Sequence, residues 1–350
     1  MTGSTAYLSL PPKNLTISTD SEVARLNLDS SNKATGVETI SGRTYHATKE
    51  IILSAGTFNS PKILLLSGIG PEEQLSQLSI PVKVDLPGVG DDLRDHCMFI
   101  TTILLKPTAL DLPSVGLLDD QQNPIVARDP LFYAGPQCLM GWISSAKVKA
   151  SEDFHALDQG TKDYLSKVPS LELMATNVPV STAHLPLGEN ATVVSFLCAV
   201  MNPQASGSVK LSSADPKDHP IIDPKYCAHP YDRRVAIEAM RTLMEYARQP
   251  IFAEVTDKFL DGPANDSDES IWEYCKKTLI PVWHFAGTCK MGKDDDEKAV
   301  VNKDFKVKGV KGLRVADVSI CPVLPNNHTQ STAYLIGETI AEKMVAEYGL

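Results

Sequence analysis

The sequence lacks the features that would place it in a membrane, on nucleic acid or outside the cell. Within its 350 residues, no apolar run approaches the roughly 18 residues that a membrane span requires. It has no run of basic residues, and its formal net charge of -10 argues against nucleic acid and anionic membranes as partners. Its first residues have neither the basic start nor the apolar core of a secretion signal, so we expect a cytoplasmic or unassigned location.

Cysteine is also sparse. The seven cysteines are odd in number, scattered and without a C-x-x-C pair. This spacing argues against a disulfide framework and against a structural zinc site, so we interpret them as mostly buried thiols and expect no metal. The apolar fraction of 43% is ordinary for a globular protein, and the length allows two or three domains.

Two histidines near the C-terminus are the strongest chemical signal in the chain. His284 precedes a Gly-Thr turn, and His328 follows Pro-Asn-Asn and leads into a long helical pattern. A histidine in a turn is more often an ordinary hydrogen-bonding group than a catalyst. Histidine is nevertheless the side chain that changes charge near neutral pH, and two of them in loops fit an acid/base pair. The sequence therefore predicts that the fold brings these two rings together.

The first hundred residues alternate short apolar runs with turn residues, which predicts a β-rich segment followed by a helix. Ser60-Pro61 is typical of a helix start, and Gly68 is typical of a helix end. The strand signals are Leu15–Ile17, Val23–Leu26, Ala34–Val37 and Ile51–Leu53.

The middle of the chain has a different character. Strand-like runs occur at Val193–Leu197 and Gly207–Leu211, and an amphipathic helical pattern extends from Arg233 to Arg248. Aromatic side chains in and after this region could be pocket walls, although aromatics more often belong to the core. These candidates are Phe132, Trp142 and Trp283.

Several stretches together resemble one known family. The segments HFAGTCKMG, LRVADVSICP and NNHTQSTAYLIGETIAEKM resemble the C-terminal signature of the glucose-methanol-choline (GMC) family of FAD-dependent oxidoreductases. Upstream, GTFNSPKILLLSGIG resembles its second signature, DLPGVGDDLRDH the segment after that, and NPQASGSVKLSSADPKDHPIIDPKY its substrate-domain segment. The matches follow the family's order from about Thr5 to Met344, and this order makes the resemblance specific.

The resemblance implies an α/β fold, α+β overall, in two parts. Residues 1–96 would form a partial, Rossmann-like FAD-binding domain. Residues 97–280 would form a substrate-binding domain, with an antiparallel sheet backed by helices. Residues 281–350 would return to the FAD-binding domain and carry the catalytic histidine loops. Substrate contacts would come from one face of the antiparallel sheet, and the sequence does not say which.

The resemblance also implies roles for single residues. His284 would take the hydroxyl proton of an alcohol and His328 would assist it, or the two roles would be exchanged. Another histidine, His96, would hold its loop by hydrogen bonds rather than act in catalysis. The residues implied at the FAD are Val23 near the adenine, Gly56 and Ser60 at a strand–helix turn, Asp317 and Val318 near the pyrophosphate or ribityl, and Gln330 and Ser331 facing the ring.

One part of the family pattern is missing. Members of the family begin with a β-α-β unit that carries G-x-G-x-x-G, and no such motif occurs here. We therefore expect a truncated or short family member that holds FAD weakly or not at all, unless another polypeptide supplies the missing half-domain. The principal expectation is oxidation of an alcohol on a small organic metabolite. The alternatives are a non-redox cyclase or dehydratase of a secondary-metabolite pathway, or an inactive fragment.

Overall fold

The computed structural model describes residues 3–10, 12–106, 138–176 and 193–349. The candidate Phe132 lies outside these residues. The helices are α1 Gly3–Tyr7, α2 Gly56–Leu66, α3 Glu72–Gln77, α4 Ala146–Lys149, α5 Glu152–His155, α6 Gln159–Leu165, α7 Pro230–Ala247, α8 Pro250–Ala253, α9 Asp268–Thr278 and α10 Gln330–Tyr348. The strands are β1 Val23–Leu28, β2 Ala34–Thr39, β3 Thr44–His46, β4 Ile51–Leu53, β5 Ile69–Gly70, β6 Val84–Asp85, β7 Asp91–Leu93, β8 Cys97–Leu105, β9 Cys138–Ile143, β10 Leu171–Thr176, β11 Val193–Val200, β12 Gly207–Lys210, β13 Ile221–Asp223, β14 Thr256–Phe259, β15 Ile280–Pro281 and β16 Leu313–Val315. The described helices include none that is both long and apolar enough to cross a bilayer.

The N-terminal segment forms an antiparallel sheet in the order β1-β2-β3. Tight turns join these strands, as the Asp/Ser/Asn and Ser-Gly clusters predict. The predicted strand at Leu15–Ile17 is wrong, because the chain there is irregular and both residues are exposed. Its apolar side chains find no sheet face to pack on, so the pattern alone does not make a strand.

Strand β4 pairs in parallel with β16 from the other end of the chain, so that Ile52 lies opposite Arg314. Helix α2 follows β4 and starts at Gly56, so the predicted helix start at Ser60-Pro61 is wrong. Pro61 lies inside the helix and cannot donate to the carbonyl of Thr57. The Thr288 hydroxyl donates to that carbonyl instead, at 2.6 Å, and this contact makes the proline tolerable.

The middle region builds a six-stranded antiparallel sheet in the order β14-β8-β11-β10-β9, with β15 also paired to β8. Helices α7 and α9 cover one face of this sheet. The amphipathic pattern of α7 explains the packing, since Val235, Ala239 and Leu243 are fully buried against the strands. The described part of the chain is therefore mixed α/β, with antiparallel sheets and helices, as the sequence predicted.

The buried apolar residues form separate clusters. One cluster combines residues between 26 and 89 with residues between 286 and 340, together with Leu211. A second lies between residues 97 and 275, under α7 and α9. A third and smaller cluster lies on the opposite face of the large sheet. The predicted domain limits at 96 and 280 remain a prediction, and the residues of the candidate site lie between the first cluster and the third.

Candidate active site

The loop that carries His284 is held against the end of the segment resembling DLPGVGDDLRDH. Residues 94–96 run antiparallel to residues 282–286. Ala286 and Arg94 exchange backbone hydrogen bonds of 2.9 and 3.0 Å, and Val282 N donates to His96 O at 3.0 Å. Gly287 has a φ of 97°, and a Cβ there would lie 2.2 Å from the backbone oxygen of Asp92. Glycine is thus needed for this close approach.

This pairing brings three histidines into one cluster. The ring centroids of His284 and His328 are 5.0 Å apart. On its other side, His284 places Nδ1 2.9 Å from Nδ1 of His96. Among the described residues, no group of three His, Cys, Asp or Glu side chains is arranged to hold a metal ion. The three side chains that meet in this cluster are all imidazoles.

Burial keeps two of these rings uncharged. His96 is completely buried, and this burial lowers its pKa to about 3, with the neighbouring His284 adding to the effect. Burial also lowers the pKa of His284 to about 4, assisted by His328. Both imidazoles are neutral at physiological pH because desolvation disfavours the cation. A neutral His284 can accept a proton.

Asp95 fixes the backbone of the His284 loop. One carboxylate oxygen accepts from the His284 N–H at 2.7 Å, and the other accepts from the hydroxyl of Tyr226. Burial raises the pKa of Asp95 to about 6, against the opposing effect of these hydrogen bonds. Trp283, the residue that precedes His284 in the loop, has a positive φ of 59° and an exposed side chain. It is not a buried pocket wall.

His328 is held by the large sheet. Its Nε2 lies 2.9 Å from Oε1 of Glu172, a buried acid on β10. The register places Glu172 opposite Trp142 on β9, and the Trp142 ring packs edge-on against His328. The face that carries Glu172 and Trp142 is therefore the face of the antiparallel sheet turned toward the histidines. Its apolar members include Met140, Met174 and Leu197, because alternate residues share a face.

Three of the predicted cofactor residues form one cluster, in which two of them donate to the carboxylate of the third. Asp317 Oδ2 accepts from Gly56 N at 3.0 Å and from Ser60 Oγ at 2.6 Å. Its Oδ1 accepts from Ser319 N at 2.8 Å. The cluster lies just beyond the carboxyl ends of β4 and β16, which is where ligands bind in open α/β sheets.

The other predicted cofactor residues do not take part in the hydrogen bonds of that cluster. Val23 begins β1 and lines a cleft of about 270 Å³ with residues 52–55. Val318 begins a short 3-10 turn after β16. Gln330 and Ser331 are exposed in the first turn of α10, where Ser331 Oγ donates to His328 O at 3.3 Å.

These residues fit one wall of a dinucleotide site. Gly56 has a φ of 81°, and no heavy atom lies within 4 Å of where its Cβ would be, so a ligand could approach the backbone. The oxygens of Asp317, however, are already occupied by protein donors. The sequence also provides no G-x-G-x-x-G cradle for the phosphates. Among the described residues, Gly56 thus leaves its backbone open to a ligand, whereas the Asp317 carboxylate is already paired within the protein.

Sequence reasoning missed the residues that support the histidine pair. His96 was expected to hold its loop by hydrogen bonds, which it does through Met201 O and Val282 N. The contact of its ring with His284 was not expected. Glu172 had a usable signal, since a single acid inside the apolar run Leu171-Glu172-Leu173 is costly to bury without a partner. Asp95 and Tyr226 had no comparable signal, because 131 residues separate them along the chain.

An α/β layer with polar residues at its strand ends, next to an antiparallel sheet and with a histidine pair between them, fits the class of FAD-dependent oxidoreductases that the sequence resembles. The chain belongs to the GMC oxidoreductase family. Two family models described as GMC oxidoreductase match it, one at residues 4–98 and the other at residues 203–337. The resemblance read from the sequence is thereby confirmed.

Relatives support this assignment. The chain is 33% identical to dehydrogenase pkfF of Emericella nidulans over 95% of its own length and 56% of the relative. It is 32% identical to versicolorin B synthase of Aspergillus parasiticus over 99% of the chain and 54% of that protein. It thus spans about half the length of these relatives. A solved formate oxidase of Aspergillus oryzae, described for its FAD modification, matches with a TM-score of 0.78 at 25% identity, over 94% of this chain and 60% of the other.

Proposed function

We propose that the chain is the catalytic part of a GMC oxidoreductase that oxidises an alcohol group of a small organic metabolite. The observation that carries the proposal is the pair of imidazoles His284 and His328, 5.0 Å apart, one of them kept neutral by burial. A neutral imidazole within reach of a second one suits removal of a hydroxyl proton. FAD, when bound, would supply the hydride-accepting chemistry that no side chain has.

His284 and His328 would have different roles in this reaction. A ring nitrogen of His284 takes the hydroxyl proton, and Asp95 keeps that ring in place through the loop backbone. His328, anchored on Glu172, orients the substrate oxygen. The roles of the two histidines could also be exchanged. Each acid/base contribution of this kind is worth about 10²–10⁴-fold in rate.

The sheet face beside His328 suggests an apolar substrate body. Trp142 and Met140 are partly exposed there, and Met174 lies next to them on the same face. Such side chains favour a hydrophobic or aromatic metabolite, whose single polar group would be the hydroxyl at the histidines.

We also propose that another polypeptide supplies the rest of the FAD-binding half-domain. The parallel sheet formed by β4 and β16 contains no third strand among the described residues, and Ile52 on β4 is 39% exposed. An open strand edge with an exposed apolar side chain is a surface that another strand can pair with. The flavin-side residues of this chain would then be Val23, Gly56, Ser60, Asp317, Val318, Gln330 and Ser331.

A second candidate function is a non-redox cyclisation or dehydration on the same histidine pair. The observation that favours it is the similarity to versicolorin B synthase, whose name is that of a synthase rather than an oxidase, over 99% of this chain. In that case the chain's acid/base residues would suffice without hydride transfer.

A visible spectrum combined with an alcohol panel separates the two functions. The purified chain is mixed with FAD and with aromatic and aliphatic alcohols, without oxygen, and the flavin absorbance is followed. Bleaching that requires both alcohol and His284 supports the oxidoreductase. Product formation by flavin-free protein, lost in His284→Gln, supports the non-redox reaction. A folded chain that does neither, even with the remaining half-domain of a relative added, would overturn both.

A further inference from the structure

We propose that His96 is a positioning residue that fixes the ring proton of His284 on Nδ1 and leaves Nε2 of His284 as its basic nitrogen. Two hydrogen bonds link three groups in series: the backbone carbonyl of Met201, the ring of His96 and the ring of His284. The position of each ring proton follows from which of these atoms can donate.

The first link fixes the tautomer of His96. Nε2 of His96 lies 2.9 Å from the backbone oxygen of Met201. A carbonyl oxygen can only accept, so Nε2 of His96 must carry the proton and donate it. The ring is fully buried and its pKa is about 3, so it holds only this one proton at neutral pH. Nδ1 of His96 is therefore a lone pair.

The second link transmits this choice to His284. The two Nδ1 atoms are 2.9 Å apart, and one of them must donate. Because Nδ1 of His96 has no proton, Nδ1–H of His284 is the donor. A neutral His284 then has its free lone pair on Nε2, which hydrogen-bonds to none of the described residues.

Further contacts hold both ends of this series of hydrogen bonds in place. Met201 is fully buried after β11, and its N–H donates to Ser170 O at 3.2 Å. At the other end, Asp95 holds the His284 backbone at 2.7 Å. A mobile acceptor would allow both tautomers, whereas a fixed backbone carbonyl favours one.

The catalytic meaning of this tautomer rests on the proposed function, since Nε2 would be the atom that takes the hydroxyl proton. The tautomer itself does not depend on that function. In a serine hydrolase, losing the residue that fixes the base's tautomer lowers kcat about 10⁴-fold. We therefore expect His96→Leu, which removes the acceptor and keeps an apolar volume, to lower kcat at least about 10²-fold while KM changes little.

The deciding experiment is nitrogen-15 NMR of the histidine-labelled chain at neutral pH, without substrate or flavin. Signals of His284 are assigned by their loss in His284→Gln. In the wild type, we expect a protonated Nδ1 and an unprotonated Nε2. In His96→Leu, the proton should move to Nε2 in a large fraction of molecules. In His96→Asn, whose Oδ1 can accept near the original Nδ1 position, the wild-type pattern should largely return.

A wild-type spectrum with the proton of His284 on Nε2 would overturn the proposal, and so would an unchanged tautomer in a folded His96→Leu. If His96→Leu does not fold, the wild-type spectrum still decides. If the chain proves to have no oxidoreductase activity, the tautomer result stands unaffected, so the two failures are distinguishable.

Discussion

At the scale of single residues, the charge of His284 matters most. A base must be unprotonated before it can act, and burial lowers the pKa of His284 to about 4. The same shift weakens the ring as a proton acceptor, since an efficient base has a pKa near the working pH. The rate then depends on how closely the substrate hydroxyl is held against the ring. In the proposed function, His328 and its anchor Glu172 would do this.

Replacement of His284 by glutamine should lower kcat/KM at least about 10²-fold, because an amide cannot take the hydroxyl proton. The measurement is turnover of whichever alcohol or metabolite the screen identifies. His219 is the matched control, since it is exposed and outside the histidine cluster, and His219→Gln should keep the wild-type rate. Wild-type turnover in His284→Gln would remove His284 from the site.

The pH dependence of stability should reveal the buried His96. Its pKa is lowered from 6.5 to about 3, so the folded state binds fewer protons than the unfolded state between these values. Its stabilising contribution is thus present above about pH 6.5 and is lost as the pH falls toward 3. Asp95 acts in the opposite sense, because its pKa is raised from 3.8 to about 6 and its contribution is lost as the pH rises through 6.

Comparison with His96→Leu separates these opposing effects. Between pH 3 and pH 6.5, the unfolding free energy of the wild type should rise relative to that of the variant. The gain should be on the order of 4 kcal/mol, since one pKa unit corresponds to about 1.4 kcal/mol. Urea denaturation at several pH values measures it. A constant difference across this range would mean that His96 does not titrate as an isolated buried imidazole.

At the scale of elements, helix α2 illustrates what the sequence could and could not give. The apolar run from Ile63 to Leu66 and the end at Gly68 follow from local chemistry, and the structure agrees with both. The start of the helix does not follow from local chemistry, because Pro61 leaves the carbonyl of Thr57 without its helical donor. The hydroxyl of Thr288, 231 residues away from Thr57, donates to that carbonyl instead. Local signals locate an element, while a distant donor can move its boundary.

The Asp317 cluster should stabilise the junction of β4, α2 and β16. Asp317→Asn replaces one carboxylate oxygen by an amide nitrogen, which cannot accept, so Gly56 N, Ser60 Oγ or Ser319 N loses its partner. An unsatisfied buried donor costs about 1–3 kcal/mol, and we expect a loss of that size in the unfolding free energy.

A surface carboxylate provides the control. Asp304 pairs with Lys343 at 2.7 Å, and both side chains are more than a third exposed. Asp304→Asn should therefore change the unfolding free energy by less than about 1 kcal/mol. Equal losses of unfolding free energy for the two substitutions in urea denaturation would show that the Asp317 cluster stabilises the fold no more than a surface ion pair does.

At the scale of the whole molecule, the site exists only because distant segments meet. The sequence predicted that His284 and His328 come together, whereas the meeting of the two strand ends that carry Gly56 and Asp317 was not predicted. It did not predict His96 beside His284, since 188 residues separate them and a buried neutral histidine has no periodic signal. The order of the family motifs predicted the His284–His328 pair. The contacts of His96 and Glu172 with these rings join distant segments, and only the folded structure shows them.

The same arrangement governs flavin affinity, which should be low for this chain alone. The parallel sheet of β4 and β16 has two described strands, Asp317 is already bonded within the protein, and no glycine-rich phosphate cradle occurs in the sequence. Titration of the chain with FAD, followed by flavin fluorescence, should show weak binding. Adding the part of dehydrogenase pkfF that lies outside the aligned region should raise the apparent affinity for FAD at least about 10-fold, since the second polypeptide would add its own contacts to the cofactor.

The open edge of β4 allows a matched test of that increase. Ile52→Lys places a charge at the strand where the second polypeptide would pair, and it should abolish the increase because charged edges resist strand addition. Ile251→Lys alters an exposed isoleucine on α8, next to the antiparallel sheet, and should leave the increase intact. Tight stoichiometric FAD binding by the chain alone, or an equal effect of both lysines, would show that the flavin half-domain is completed in another way.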